Sequence, residues 1–213
     1  MANINSVSDK STGSNVKPAN STGGKRPKTA SAIQNNKDVA YFDGDNDLFT
    51  VNPITNFQSI VGNSMILVAK FIDPTATNTV TQLGTNSQAR NANWFSIRGG
   101  DYQIAMGGGV AHTTGVTIDT NFHIYSCIFD GTQTGNSNRL KFRIDGVEKS
   151  LTFTTNVGAT TASDTTVLYI GETATATEDF NGYLGELLLY TKTLTATELT
   201  NTENYLKNKW GIS

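Results

Sequence analysis

The chain has 213 residues, 37% of them apolar and 16% charged, with a formal net charge of −2 and one cysteine. That length supports one sizeable core, and the single Cys127 excludes an internal disulfide framework. The longest apolar run, Met65 to Ala69, is strand-sized and far below the ~18 residues that a membrane-spanning helix requires; no apolar segment of the secretory type opens the sequence.

Residues 1–38 are rich in Ser, Thr, Asn, Gly and Lys, contain no aromatic residue and carry a charge of +4, against −6 for the remainder. Such a segment buries too little apolar surface to fold alone. It reads as an extended or disordered basic arm, ordered on a partner, with Lys25, Arg26 and Lys28 as its contact points for an acidic surface. One short cluster without interleaved aromatic residues argues against nucleic acid as that partner.

From Val39 onward the pattern is β. Strands are expected at 39–43, 48–51, 63–72, 79–84, 93–98, 101–106, 121–130, 138–145, 147–154, 166–171 and 180–190, with turns rich in Gly, Asn, Asp and Thr at short intervals. Spacing of this kind predicts an all-β antiparallel β-sandwich or jelly roll spanning residues 39–213. Asp145-Gly146 suits a two-residue type I′ hairpin. Before it, Leu140, Phe142 and Ile144 alternate with Arg139, Lys141 and Arg143, so one face is core and the other basic and wet. Strand 121–130 is apolar on both sides, which predicts a central strand covered twice. At the end of the chain, Thr195 and Glu198 form a capping box and Leu194 and Leu199 a hydrophobic staple. A helix therefore starts near Ala196, lays Leu199, Glu203, Leu206 and Trp210, with Tyr205 beside them, along one stripe, and stops at Gly211.

Sites of chemistry are scarce. His112 and His123 stand eleven residues apart without a cysteine near His112, so no zinc spacing exists. Asp43, Asp45 and Asp47 alternate, but Leu48 occupies the glycine position of an EF-hand loop; the three read as caps of a tight turn. Gly107-Gly108-Gly109 lacks the helix of a phosphate loop and reads as a flexible turn. A sugar site requires an exposed aromatic plate beside amides or carboxylates. Trp94, Asp101 and Tyr102 supply such a set; the alternative is that each ring points inward, Trp94 and Phe95 in particular, whereas Gly99-Gly100 leaves Tyr102 room to stand free.

The run Phe180 to Tyr190 with the closing helix, Ala40 to Asp47, Phe122 to Gly131, and Leu140 to Gly146 together resemble the concanavalin A-like lectin/glucanase superfamily in its laminin G-like branch, over residues 39–213. The resemblance implies a concanavalin A-like jelly roll with one C-terminal α-helix. Its β-glucan-cleaving members use Glu-x-Asp-x-(x)-Glu on one strand; no segment here matches, so no catalytic residues are assigned and no enzymatic activity is expected. Relatives bind calcium through scattered Asp side chains, but no calcium site, other metal or cofactor can be placed here. Glu186 corresponds to a Glu with a structural role. A disulfide-free domain on a basic arm further resembles bacteriophage accessory proteins. The expectation is a virion surface protein, a decoration or head-fibre protein in a symmetric assembly, its arm on the major capsid or another virion protein and its lectin-like domain facing host glycans. The alternative is an extracellular carbohydrate-binding module of a secreted or cell-surface system.

Overall fold

The computed structural model describes residues 1–8, 10, 19–20, 24–84, 94–163 and 166–213. Asp9 and Lys17 of the arm, and Asn93 at the start of the expected strand 93–98, lie outside them. In chain order the strands are β1 (Ala2–Asn3), β2 (Ser6–Val7), β3 (Ala19–Asn20), β4 (Lys28–Gln34), β5 (Lys37–Asp43), β6 (Phe49–Val51), β7 (Gly62–Phe71), β8 (Asn78–Leu83), β9 (Trp94–Arg98), β10 (Asp101–Met106), β11 (Gly109–Thr113) and β12 (His123–Asp130). After the short helix α1 (Asn136–Arg139) come β13 (Leu140–Ile144), β14 (Val147–Lys149), β15 (Leu151–Phe153), β16 (Leu168–Ile170), β17 (Asn181–Tyr190) and the closing helix α2 (Ala196–Trp210). The first sheet runs β1-β4-β5-β17-β7-β12-β13-β14 and the second β15-β11-β10-β9-β8-β16-β6-β3-β2. All pairings are antiparallel, as in an all-β sandwich.

Local sequence explains the hairpins. Asp145 (φ 50°) and Gly146 (φ 81°) form the two-residue turn between β13 and β14, and Gly107 (φ 58°) and Gly108 (φ 77°) the one between β10 and β11. Positive φ at both central positions matches the twist of the flanking strands. The glycine run expected as a flexible turn is thus a tight hairpin, and β11 is a strand that periodicity missed. The single strand expected at 147–154 is two: β14 edges the first sheet, and after Ser150 the chain passes to β15 at the edge of the second.

Between the sheets lies a core with Phe71, Phe95, Tyr102, Tyr125 and Phe142 at its centre. The central strand β12 is buried on both sides, as its sequence predicts. Tyr125, Cys127 and Phe129 face this core, while Phe122, Ile124 and Ile128 join Ile66 and Val68 on the outer side of the first sheet. Helix α2 covers that outer side with Leu199, Leu206 and Trp210. Its capping box is formed, Thr195 Oγ1 accepting from Glu198 N–H and Glu198 Oε2 from Thr195 N–H. Gly211, left-handed at φ 64°, ends it. Tyr205 does not belong to the buried stripe; it is 53% exposed.

Two polar devices orient the helix. Glu203, 3% exposed, accepts from Arg143 Nε at 3.0 Å and Nη2 at 2.9 Å and from Ser126 Oγ at 2.8 Å. The outer face of β13 is therefore not uniformly wet: Lys141 stands in solvent, but Arg143 is drawn under the helix. Glu186 accepts from Trp210 Nε1 at 2.9 Å and pairs with Lys209 Nζ at 2.7 Å. A Cβ on Gly185 would lie 2.8 Å from the Trp210 ring, so the bare backbone at the β17 bulge is what lets that ring seat.

The expected boundary at residue 38 is corrected. It cuts through β5, and β4 pairs with β5 in register Lys28↔Tyr41, Thr29↔Ala40 and Ala30↔Val39. Ala30 is buried; Gln34 Nε2 and Asn35 Nδ2 donate to the Trp210 and Lys209 carbonyls at the helix end. Residues 28–38 complete the sandwich because β4, flanked on its outer side only by the two-residue β1, gains its order from backbone hydrogen bonds to β5 and one buried side, for which few apolar residues suffice.

Replacing Glu203 by Ala leaves Arg143 half-buried without its partner and should cost about 3 kcal/mol; the double change Arg143→Met with Glu203→Leu should cost far less, both read by urea denaturation. Deleting residues 1–23, which spares Lys25 and its bond to the buried Glu172, should lower the melting temperature only slightly, whereas deleting 1–36 removes that pair, β4 and the helix-end donors and should lower it by roughly 10 °C or more, the shift that a loss of several kcal/mol gives a chain of this size.

Candidate functional site

Beyond the end of α2, where Trp210 lies over Gly185, the outer face of the first sheet is left uncovered. Cross-strand pairing places Lys28, Tyr41, Tyr183 and Lys70 in one row across β4, β5, β17 and β7. Their neighbours Phe42, Phe71 and Leu184 belong to the core, so strand alternation turns this row outward. The Tyr41 and Tyr183 rings are half-buried, 5.2 Å apart and tilted by 39°. Phe122 backs Tyr183 at 6.1 Å, and Lys70 Nζ lies 5.9 Å from the Tyr183 centroid. The next row on this face pairs Asn181 with Asp43, adding an amide and a carboxylate. Lys28 Nζ holds Asp43 Oδ2 at 3.2 Å. Burial, then Asp43 and Tyr183, push the Tyr41 hydroxyl up, keeping it a neutral donor.

A clamp fixes the end of β12 beside this platform. His123 Nδ1 meets Asp145 Oδ2 at 2.5 Å, and Nε2 meets Asp119 Oδ1 at 2.9 Å; Asp145 Oδ1 also accepts from Ile124 N–H. The Asp145 hydrogen bond, followed by that of Asp119, raises the His123 pKa against burial. Both ring nitrogens facing carboxylates is the pattern of an imidazolium.

The sugar-site residues expected from sequence fall elsewhere. Tyr102 is 1% exposed on the inner face, its hydroxyl 3.2 Å from that of Tyr125, and burial pushes its pKa up to about 12. It cannot be a plate, because Gly99-Gly100 forms a tight hairpin rather than a free loop and β10 carries the ring inward. Trp94 is also corrected: it lies on the outer face of the second sheet but is 3% exposed, packed with Ala105 and Val110. Asp101 is half-buried on the same face, opposite Arg98. There Arg98 Nη2 and Thr79 Oγ1 are taken by Glu178, and Gln82 Oε1 by Ala174 N–H. The three residues do not form one site.

Two of the three arm cations are likewise engaged within the chain. Lys25 Nζ binds both oxygens of Glu172 at 3.0 and 2.8 Å, and Glu172 is 2% exposed; Lys28 holds Asp43. Arg26 is half-buried next to them. A backbone β-bridge sets Glu172 beside Asp179, whose carboxyl is pushed up to about 6 by burial and by Glu172. The Asp43, Asp45 and Asp47 turn is capped as expected, Asp47 Oδ2 accepting from Asp43 N–H and Asp43 Oδ1 from Asp45 N–H. Among the described residues no group of three His, Cys, Asp or Glu side chains is set to hold a metal ion. An open depression of about 450 Å³ near Asp130 and Lys192 has its charges spent, Asp130 on Thr132 and Gln133 and Lys192 on Glu198.

No protein-family model and no curated protein matches the sequence. Solved structures match the fold. Domain 4 of a GH43 extracellular arabinanase from Geobacillus stearothermophilus, in complex with arabinotriose, is 17% identical with a TM-score of 0.57, covering 85% of this chain and 82% of that one. The CBM40 of the Ruminococcus gnavus IT-sialidase, bound to α2,3-sialyllactose, is 13% identical with a TM-score of 0.52, covering 82% and 99%. The Trypanosoma rangeli sialidase, in complex with 2,3-difluorosialic acid, is 12% identical with a TM-score of 0.60; 91% of this chain matches only 30% of that one. These likenesses show the fold, an all-β sandwich.

Because the folded state holds the His123 proton more tightly than the unfolded chain, the clamp's stabilisation is complete below about pH 6.5 and is lost as pH rises through the raised value. The difference in urea midpoint between wild type and His123→Gln should therefore be largest near pH 5.5 and shrink by pH 9. A difference that grows with pH would show that the ring is neutral in the fold.

Proposed function

We propose that this domain binds saccharide without cleaving it, and that the Tyr41–Tyr183 platform is where it does so. The observation that carries this reading is the pair of half-exposed rings, left open by the helix, with Asn181 and Asp43 one row away. Tyrosine pairs a flat apolar body with a polar tip, so the C–H faces of a sugar can rest on the rings while its hydroxyls reach the amide, the carboxylate and the phenols. Solved structures of similar fold that contain arabinotriose and sialyllactose support the class of ligand.

Absence of catalysis belongs to the same proposal. Retaining hydrolysis requires two carboxyl groups about 5 Å apart flanking an accessible bond. In the close pair Glu172 and Asp179, Glu172 is 2% exposed and held by Lys25. Display on a virion through the arm gains no support, since Lys25 and Lys28 are neutralised within the chain.

A glycan array followed by calorimetry should reveal binding at roughly millimolar to micromolar affinity, as for a shallow site. Tyr183→Ala and Tyr41→Ala should each abolish it while costing about 1 kcal/mol of stability. Binding that survives both changes, or an array silent for the folded wild type, would overturn the reading; release of reducing ends that disappears in Glu172→Gln would overturn its non-catalytic part.

A further inference from the structure

The charges around the platform are unequal, and the inequality selects among saccharides. At the Tyr41 end the cation and carboxylate cancel: Lys28 Nζ lies 3.2 Å from Asp43 Oδ2, and the exposed Asp45 follows in the same turn. At the Tyr183 end stands Lys70, half-buried, its ammonium over the ring. Among the described residues no carboxylate comes within ion-pair distance of it. The acidic groups of the neighbouring elements are bound elsewhere: Asp119 and Asp145 by His123, and Glu186 by Lys209 and Trp210.

Resting on the saccharide-binding reading, we propose that the platform takes an acidic saccharide, its carboxylate at Lys70 and its ring on Tyr183, with a neutral unit continuing over Tyr41 toward Asp43 and Asn181. A partly desolvated ammonium without a counter-charge gains more from an incoming carboxylate than a fully hydrated one does. Conversely, the Asp43 and Asp45 end repels an anion and offers acceptors to hydroxyl groups. The row is therefore polar along its length, and the ligand enters in one orientation.

The test uses the full chain against an array of sialylated, uronate-containing and neutral oligosaccharides, with calorimetry on sialyllactose and lactose, which share a neutral core. The expected result is binding of acidic members about twofold to fivefold tighter than their neutral counterparts, within the range of a half-exposed ion pair. Lys70→Gln should erase that preference, bringing the affinity for acidic members down to that of their neutral counterparts measured on the same variant; Lys70→Arg should keep it. Equal or tighter binding of neutral members, or a preference for acidic ones that Lys70→Gln leaves intact, overturns the acidic assignment alone. A silent array with folded protein instead sinks saccharide binding itself, so the two failures are distinct.

Discussion

The structure depends on β7 and β12 being apolar on both sides. Met65, Leu67, Tyr125, Cys127 and Phe129 fill the space between the sheets, but Ile66, Val68, Ile124 and Ile128 would face water were nothing laid over them. Burying such side chains is worth about 1.5–3 kcal/mol each, so the outer layer is no ornament. Helix α2 follows β17 after a short turn, and its stripe of Leu199, Leu206 and Trp210 closes that side. The helix is narrower and shorter than the sheet it covers. Its end, set by Gly211 and by Trp210 seated on Gly185, draws the border beyond which Tyr41 and Tyr183 stay open.

Apolar contact alone would let the helix slide, since dispersion is tolerant of small shifts. Directional groups remove that freedom. The Arg143 fork on Glu203, with Ser126 on the same oxygen, fixes the middle of the helix against β12 and β13. Glu186 fixes its last turn, and Gln34 and Asn35 occupy carbonyls there that would otherwise lack partners. A buried ion pair adds little net stability, because desolvation offsets the Coulomb gain, yet breaking it from one side is costly. Its effect here is positional: it keeps the helix from drifting over the platform.

The capping box, Gly211, the Asp145-Gly146 turn and the doubly covered β12 could all be read from sequence because each is local: a spacing, a turn dipeptide, an alternation. What failed was what depends on a distant partner. Tyr102 follows two glycines, and only the pairing of β10 with β9 and β11 shows that those glycines make a hairpin that sends the ring inward. Tyr41 and Tyr183 sit 142 positions apart; each stands between core residues at outward parity, but nothing local announces that β5 pairs with β17 and brings the rings together. The end of the arm at residue 38 is illegible in the sequence for a related reason. Composition measures what a segment can bury by itself, whereas β4 borrows its hydrogen-bond partners from β5.

The two outer faces differ in what binding would cost them. On the second sheet several polar groups are already paired: Glu178 holds Arg98 and Thr79, Gln82 accepts from the Ala174 N–H, and the loop supplying these partners would have to leave before a ligand could enter. Each such bond broken leaves a buried donor or acceptor at a penalty of about 1–3 kcal/mol, comparable to what a sugar hydroxyl returns. On the first sheet the rings, Asn181 and Lys70 are half-exposed and need give up only water. Preorganisation therefore favours the tyrosine face, even though the second sheet carries more polar side chains. A surface rich in hydrogen-bonding groups is not a binding site when those groups have already found one another.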